Sequence, residues 1–241
     1  MKLDILALGV HPDDVELACS GTVISHINRG KKVGIVDFTR GELGTRGTAE
    51  TRKAESEAAS KILGVEVREN LEMADGFFQN DKAHQLKLIA ALRKFQPEIV
   101  LANALDDRHS DHGRAAKLAI DACFYAGLVK VETLDAQGNI QAPWRPKQIY
   151  HYVQDRYMKP DLIVDVTPFW EQRMEAVKAF KTQFFISGNE DNEPATPIST
   201  PDFMLFLEAR AREFGRLIGV KYGEGFVSRT PIGTTNLFEL K

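Results

Sequence analysis

Two short polar clusters hold residue types that could do chemistry: His11-Pro12-Asp13-Asp14 and Asp106-Asp107-Arg108-His109-Ser110-Asp111-His112. In the first, His11 and Asp14 are three apart, a spacing that brings side chains together on one face of a helical turn, with Cβ atoms about 5–6 Å apart. Asp13 must then point elsewhere. Adjacent carboxylates repel, but the free N–H groups of a helix start favour their ionised forms, and a divalent cation favours them more. Asp is also a good helix cap, so this cluster alone leaves capping and ligation both open. In the second, His109 and His112 repeat the spacing of three, and the spacing does not choose between them. Two imidazoles and one carboxylate with an open position form a catalytic zinc set, whereas structural zinc sites use four protein ligands, usually with cysteine. Such a set also accepts Fe(II), Co(II) or Mn(II).

The elements around these clusters explain how they could meet. Ile5 to Val10 is an uncharged run that ends at the first cluster and reads as a buried strand of a parallel sheet. A helix from Val15 to Asn28 follows, with Gly30 as its stop. Further strands are predicted at Lys32–Phe38, Val65–Leu71 and Glu98–Ala102, with helices at Glu50–Leu63, Asp81–Phe95 and Arg114–Leu128. This alternation predicts an α/β, Rossmann-like doubly wound, mainly parallel sheet flanked by helices. In the strand order 3-2-1-4, the first and fourth strands lie side by side at the switch point, so both clusters face one crevice. The loop Thr39–Thr48 is rich in glycine but fits neither phosphate-binding fingerprint.

Composition narrows the class. With 241 residues, 43% hydrophobic, the chain fits a single domain, in which residues 1–128 form the Rossmann-like core with the metal site and 129–241 add strands and helices. No apolar run approaches the roughly 18 residues of a membrane helix, and the N-terminus lacks the pattern of a signal peptide, so a cytoplasmic protein without membrane contact is expected. Cys19 and Cys123 have no CxxC spacing and read as core thiols. A net charge of −3 with dispersed Lys and Arg argues against nucleic acid. Beyond residue 128, strands are predicted at Lys147–Val153 and Leu162–Val166 and helices at Phe169–Phe185 and Pro201–Gly219, with a hairpin or loop about Gln137-Gly138-Asn139. Ser187–Pro201 reads as a loop suited to a lid. The stripe Phe203, Leu207, Ala211 and Phe214 reads as core or subunit contact.

Together, HPDD after the first strand, GELGTRGTAETR after the second and DDRHSDHG after the fourth resemble the LmbE-like, or PIG-L, deacetylase family. Within it the chain is similar to bacterial members that remove acetate from N-acetylglucosaminyl-malate in bacillithiol synthesis. The resemblance implies that His11, Asp14 and His112 hold one Zn2+ and that Asp13 is the general base. It implies a small N-acetylated sugar conjugate as partner, and the closing segment Gly223–Phe238 resembles those members and suggests a homo-oligomer. Lys181-Thr182-Gln183 departs from the Ser-Gln pair common in relatives. A zinc ion activates water and polarises the amide carbonyl, and Asp13 would take the water's proton. His109, as an imidazolium held by Asp111, would then donate to the oxyanion and help the amine leave. Arg52 and Arg108 are placed at the crevice rim, where their planar guanidinium groups would clamp the malate carboxylates. Other substrates of the family, among them glucosaminyl inositol, diacetylchitobiose and thiol conjugates, and a non-catalytic zinc-binding role remain the alternatives.

Overall fold

The computed structural model describes residues 1–186 and 193–239. The expected lid loop falls partly on residues 187–192, outside the described residues. Strand β1, Ile5–Gly9, is buried throughout and sits in the middle of the sheet. Its alternation is visible in the packing: Ile5 and Ala7 enter one apolar cluster and Leu6 and Leu8 the other, on the opposite face. It pairs in parallel with β2, Val33–Thr39, and with β4, Ile99–Ala102. Strand β3, Val67–Met73, lies outside β2, and β5, Gln148–Tyr152, continues the parallel set beyond β4. The sheet then changes direction. β6, Leu162–Asp165, and β7, Gly223–Ser228, complete seven strands in the order β3-β2-β1-β4-β5-β7-β6, with β7 antiparallel to both neighbours.

Helices α3 (Ala49–Leu63), α4 (Lys82–Phe95) and α5 (Ser110–Ala126) begin and end on local signals. Thr48 and Thr51 form a reciprocal capping box at α3, and Gly64 closes it in the left-handed conformation. Asp81 caps α4 by accepting the His84 N–H. From α4, Leu88, Leu92 and Phe95 pack with Leu118, Ala119 and Ala122 of α5 against one sheet face. Each of the larger side chains among them contributes about 1.5–3 kcal/mol on burial. Cys19 and Cys123 are buried free thiols, as expected. No described helix is long and apolar enough to cross a membrane.

The helix predicted over Val15–Asn28 is two helices, α1 (Asp14–Ala18) and α2 (Ser20–Ile27), broken at Cys19. The cause is side-chain insertion into the ladder. Leu17 O and Gly21 N would pair in a continuous helix, but Leu17 O accepts from Arg173 Nη2 at 2.6 Å and Arg210 Nη2 at 2.7 Å. Gly21 N instead donates to Glu224 Oε1 at 2.9 Å. Helix α6 is also shorter than predicted, Trp170–Lys178, because the chain turns so that Thr182 N and Oγ1 bond Glu55. Helix α7, Pro201–Leu217, starts on Thr200 with Pro201 in its first turn. Residue 138 is at a positive-φ turn in a small hairpin bridged by Leu134 and Ile140.

Candidate active site

The carboxyl ends of the parallel strands surround a cavity of about 350 Å³. Both polar clusters reach it, as the 3-2-1-4 order requires. His11 comes from the turn after β1, Asp13 and Asp14 from the start of α1, and His109 and His112 from the start of α5.

Asp14 is fixed almost completely by hydrogen bonds. Its Oδ2 accepts from Val10 N at 2.8 Å, His11 N at 3.0 Å and Asn103 Nδ2 at 3.1 Å. Its Oδ1 accepts from Gln154 Nε2 at 2.8 Å and lies 3.3 Å from His112 Nε2. The other ring nitrogen of His112, Nδ1, donates to Asp107 Oδ2 at 2.6 Å. Asp107 Oδ1 in turn accepts the N–H groups of Arg108, Asp155 and Arg156. Such a carboxylate behind an imidazole sets its tautomer and aims Nε2 forward. Burial opposes the charge on both Asp14 and His112. Their mutual attraction outweighs it: His112 and His11 hold the Asp14 carboxyl well below its usual range, and Asp14 and Asp107 raise His112 to about 10.

His11, the third expected ligand, has Nδ1 3.8 Å from Asp14 Oδ2. Its Nε2 bonds Asp75 Oδ1 at 2.9 Å. Although burial raises Asp75, His11 and the Leu43 N–H outweigh it and hold that carboxyl down to about 2. Ring nitrogens of His11, His109 and His112 also lie within 4.8 Å of one another, as do donor atoms of His11, Asp75 and Asp111. Imidazole and carboxylate donors of this kind fit a divalent cation. Among the described residues, the groups close enough to share one ion are these two sets, His11 with His109 and His112 and His11 with Asp75 and Asp111, while Asp14 adjoins the imidazoles of His112 and His11.

Asp13 does not cap α1; its side chain accepts no helix N–H. Its backbone has φ 142°, a conformation that costs a non-glycine residue about 1–3 kcal/mol. Oδ2 accepts from Arg52 Nη2 at 2.8 Å, and the same nitrogen donates to Pro12 O at 2.7 Å. Burial pushes the Asp13 carboxyl up to about 7, opposed by Arg52. The glycine-rich loop serves this pair. Gly41, at φ +66°, passes directly over the guanidinium, and a Cβ there would stand 2.2 Å from Arg52 Nη1.

Two expectations are corrected. Arg52 is not a rim residue: it is 4% exposed and committed to Asp13 and Pro12. The Asp111 carboxylate does not hold His109. It is fully buried, accepting from Gly76 N at 2.8 Å and Arg114 Nη1 at 2.9 Å. Only the Asp111 backbone reaches His109, its N–H donating to Nδ1 at 3.3 Å. The neutral His109 ring therefore carries its proton on Nε2, and burial together with His11 and His112 pushes its basicity down. Arg108 is at the cavity wall, half-exposed and ion-paired with Asp155. Sequence reasoning passed over Asp75 and Gln154. Both follow the ends of parallel strands, β3 and β5, which was the available signal.

On a Rossmann-like sheet, the turn after β1 offers carboxylates and imidazole where a nucleotide-binding protein needs glycines, an arrangement suited to metal-assisted hydrolysis and not to a dinucleotide. Comparison with known proteins agrees. Residues 6–123 match PIG-L, described as GlcNAc-PI de-N-acetylase. Diacetylchitobiose deacetylase of Thermococcus kodakarensis is 26% identical over 231 residues, spanning 92% of this chain and 81% of that one. The 4-oxalmesaconate hydratase of Pseudomonas putida is 26% identical over 196 residues, 74% and 73% of the two chains. The crystal structure of the conserved protein TT1542 from Thermus thermophilus is 36% identical, covers 97% of both chains and superposes with a TM-score of 0.85. The chain belongs to the PIG-L family of de-N-acetylases.

Proposed function

We propose that this protein is a zinc-dependent N-deacetylase that releases acetate from an N-acetylglucosamine conjugate, with N-acetylglucosaminyl-malate as the preferred substrate. His11, Asp14 and His112 would hold the metal, which when bound supplies Lewis acidity to water and to the amide carbonyl. The observation that carries the reading is Asp13. Its Oδ2 is held by Arg52, while Oδ1 has no partner among the described residues and is not sealed from solvent, in a side chain that lines the cavity. A carboxylate so placed accepts a proton from water at Oδ1 as the water oxygen bonds the acetyl carbon. The C–N bond then breaks, and the same proton passes from Asp13 to the departing nitrogen, giving acetate and the free amine. His109 Nε2–H donates a hydrogen bond to the carbonyl oxygen as negative charge gathers there.

The deacetylase relative supports the chemistry; the malate conjugate rests on the resemblance of the sequence motifs and closing segment to bacillithiol-type members. Diacetylchitobiose is the second reading, favoured by that same relative's printed activity. The test is amine release from N-acetylglucosaminyl-malate, diacetylchitobiose and free N-acetylglucosamine by metal-stripped protein, with and without zinc. Zinc-restored turnover preferring the malate conjugate is expected. Turnover of none of the three, with zinc bound, would overturn the reading.

A further inference from the structure

Helix α7 forms one wall of the cavity with Phe203, Leu207 and Arg210, spaced four and three so that they share a face. Leu207 is core as expected, yet this face also meets the cavity. Arg210 is partly buried, and its one hydrogen bond among the described residues runs from Nη2 to Leu17 O at 2.7 Å. No carboxylate among the described residues pairs with it. The acid nearest in the network, Glu224, is taken by Arg173 Nε, the N–H groups of Gly21 and Thr22, and Thr22 Oγ1. The Nε and Nη1 groups of Arg210 are nevertheless not sealed from solvent.

The other cavity arginines differ. Arg52 is bound to Asp13, Arg108 to Asp155, and Arg46 donates to Thr182 O and to the carbonyls of Glu193 and Pro194. Glu224, Asp107 and Asp155 act on Arg210 only from a distance, and a partly desolvated guanidinium without a directly paired carboxylate is costly, a cost that falls when an anion docks against it. Burial and the neighbouring Arg173 push Arg210 down to about 10, which still leaves it charged near neutral pH.

We propose that Arg210 binds an anionic oxygen group of the substrate, on the reading above the carboxylate of the malate conjugate, and so sets which N-acetylated conjugate the cavity favours. This deepens the deacetylase reading and rests on it for the identity of the reaction. The role expected for Arg52 thus passes to a residue near the other end of the chain, one that the sequence pattern hid within an apolar stripe.

The test compares wild-type, Arg210→Ala and Arg210→Gln holoenzymes on N-acetylglucosaminyl-malate and on the neutral methyl glycoside of N-acetylglucosamine. Glutamine keeps an N–H donor for Leu17 O while removing the charge, which separates support of the fold from anion binding. Both variants should lower the ratio of kcat/KM for the malate conjugate to that for the neutral glycoside by about tenfold or more, mainly through KM. Calorimetric binding of L-malate and of inorganic phosphate to the same proteins gives a readout that needs no turnover. Loss of malate binding in both variants supports the proposal even if the wild type deacetylates neither substrate, a result that would remove only the deacetylase reading. A substrate ratio unchanged within about twofold in Arg210→Gln, with malate binding retained, overturns it. Phosphate binding tightly where malate does not would overturn the assignment of a carboxylate.

Discussion

Replacing Arg52 with alanine distinguishes a buried partner of Asp13 from a substrate clamp. The substitution removes one charge-assisted hydrogen bond, 2.8 Å to Asp13 Oδ2, and one bond to a carbonyl, 2.7 Å to Pro12 O. It also leaves a 4%-exposed carboxylate without its counter-charge. Breaking a buried pair from one side costs about 3–5 kcal/mol, far more than losing an exposed ion pair. Against a total stability of about 5–15 kcal/mol, that is a large shift, readable as a lower urea midpoint with an unchanged slope. In a double-mutant cycle, Arg52→Ala on an Asp13→Ala background should cost much less than on the wild type, with a coupling of about 1–3 kcal/mol. Kinetically, the Arg52→Ala protein should lose kcat on the malate conjugate and on neutral N-acetylglucosamine alike. An unchanged urea midpoint together with a KM rise confined to the malate conjugate would refute the argument and restore the clamp.

Three further outcomes follow from the same geometry. Gly41→Ala, whose Cβ would lie 2.2 Å from Arg52 Nη1 at φ +66°, should destabilise by about 1–3 kcal/mol and lower kcat as the Arg52 variants do; denaturation and steady-state kinetics check both. Asp107→Asn should weaken zinc binding about 10- to 100-fold, measured by chelator competition, because His112 loses the carboxylate behind its Nδ1. His109→Ala should keep its zinc by elemental analysis while kcat falls about 10²- to 10³-fold, and activity near wild type would remove its role at the carbonyl oxygen.

Much of the site was legible because its residues sit at strand ends. Ile5–Gly9 carries no charge, so the position of His11 beyond it and the convergence with the cluster of His109 and His112 followed from the strand order alone. Partners that arrive singly gave no spacing to read. Asp75 and Gln154 belong to no spaced set of like residues, and only the folded sheet brings them to His11 and Asp14. Arg52 was misplaced because one turn into a helix describes rim and interior equally well. The break at Cys19 was invisible for a different reason: it depends on Arg173, Arg210 and Glu224, all more than 150 residues later in the chain. Strand β7 was missed because GEGFVS has little strand character. Its glycines are required by packing, since a Cβ at Gly225 would meet the Phe214 ring at 2.8 Å.

The place of β7 constrains how the protein can be made. It fills the slot between β5 and β6, and its Glu224 satisfies the Gly21 and Thr22 N–H groups some 200 residues earlier. During synthesis the alternating first half can collapse as each helix follows its strand, but β6 has no neighbour in the sheet until Gly223–Ser228 leaves the ribosome. Closing contacts of such long sequence separation slows the final step and lengthens exposure of open strand edges. A nascent chain stalled just before β7 should therefore hold the parallel strands, remain open to proteolysis across residues 162–165, and close only on release.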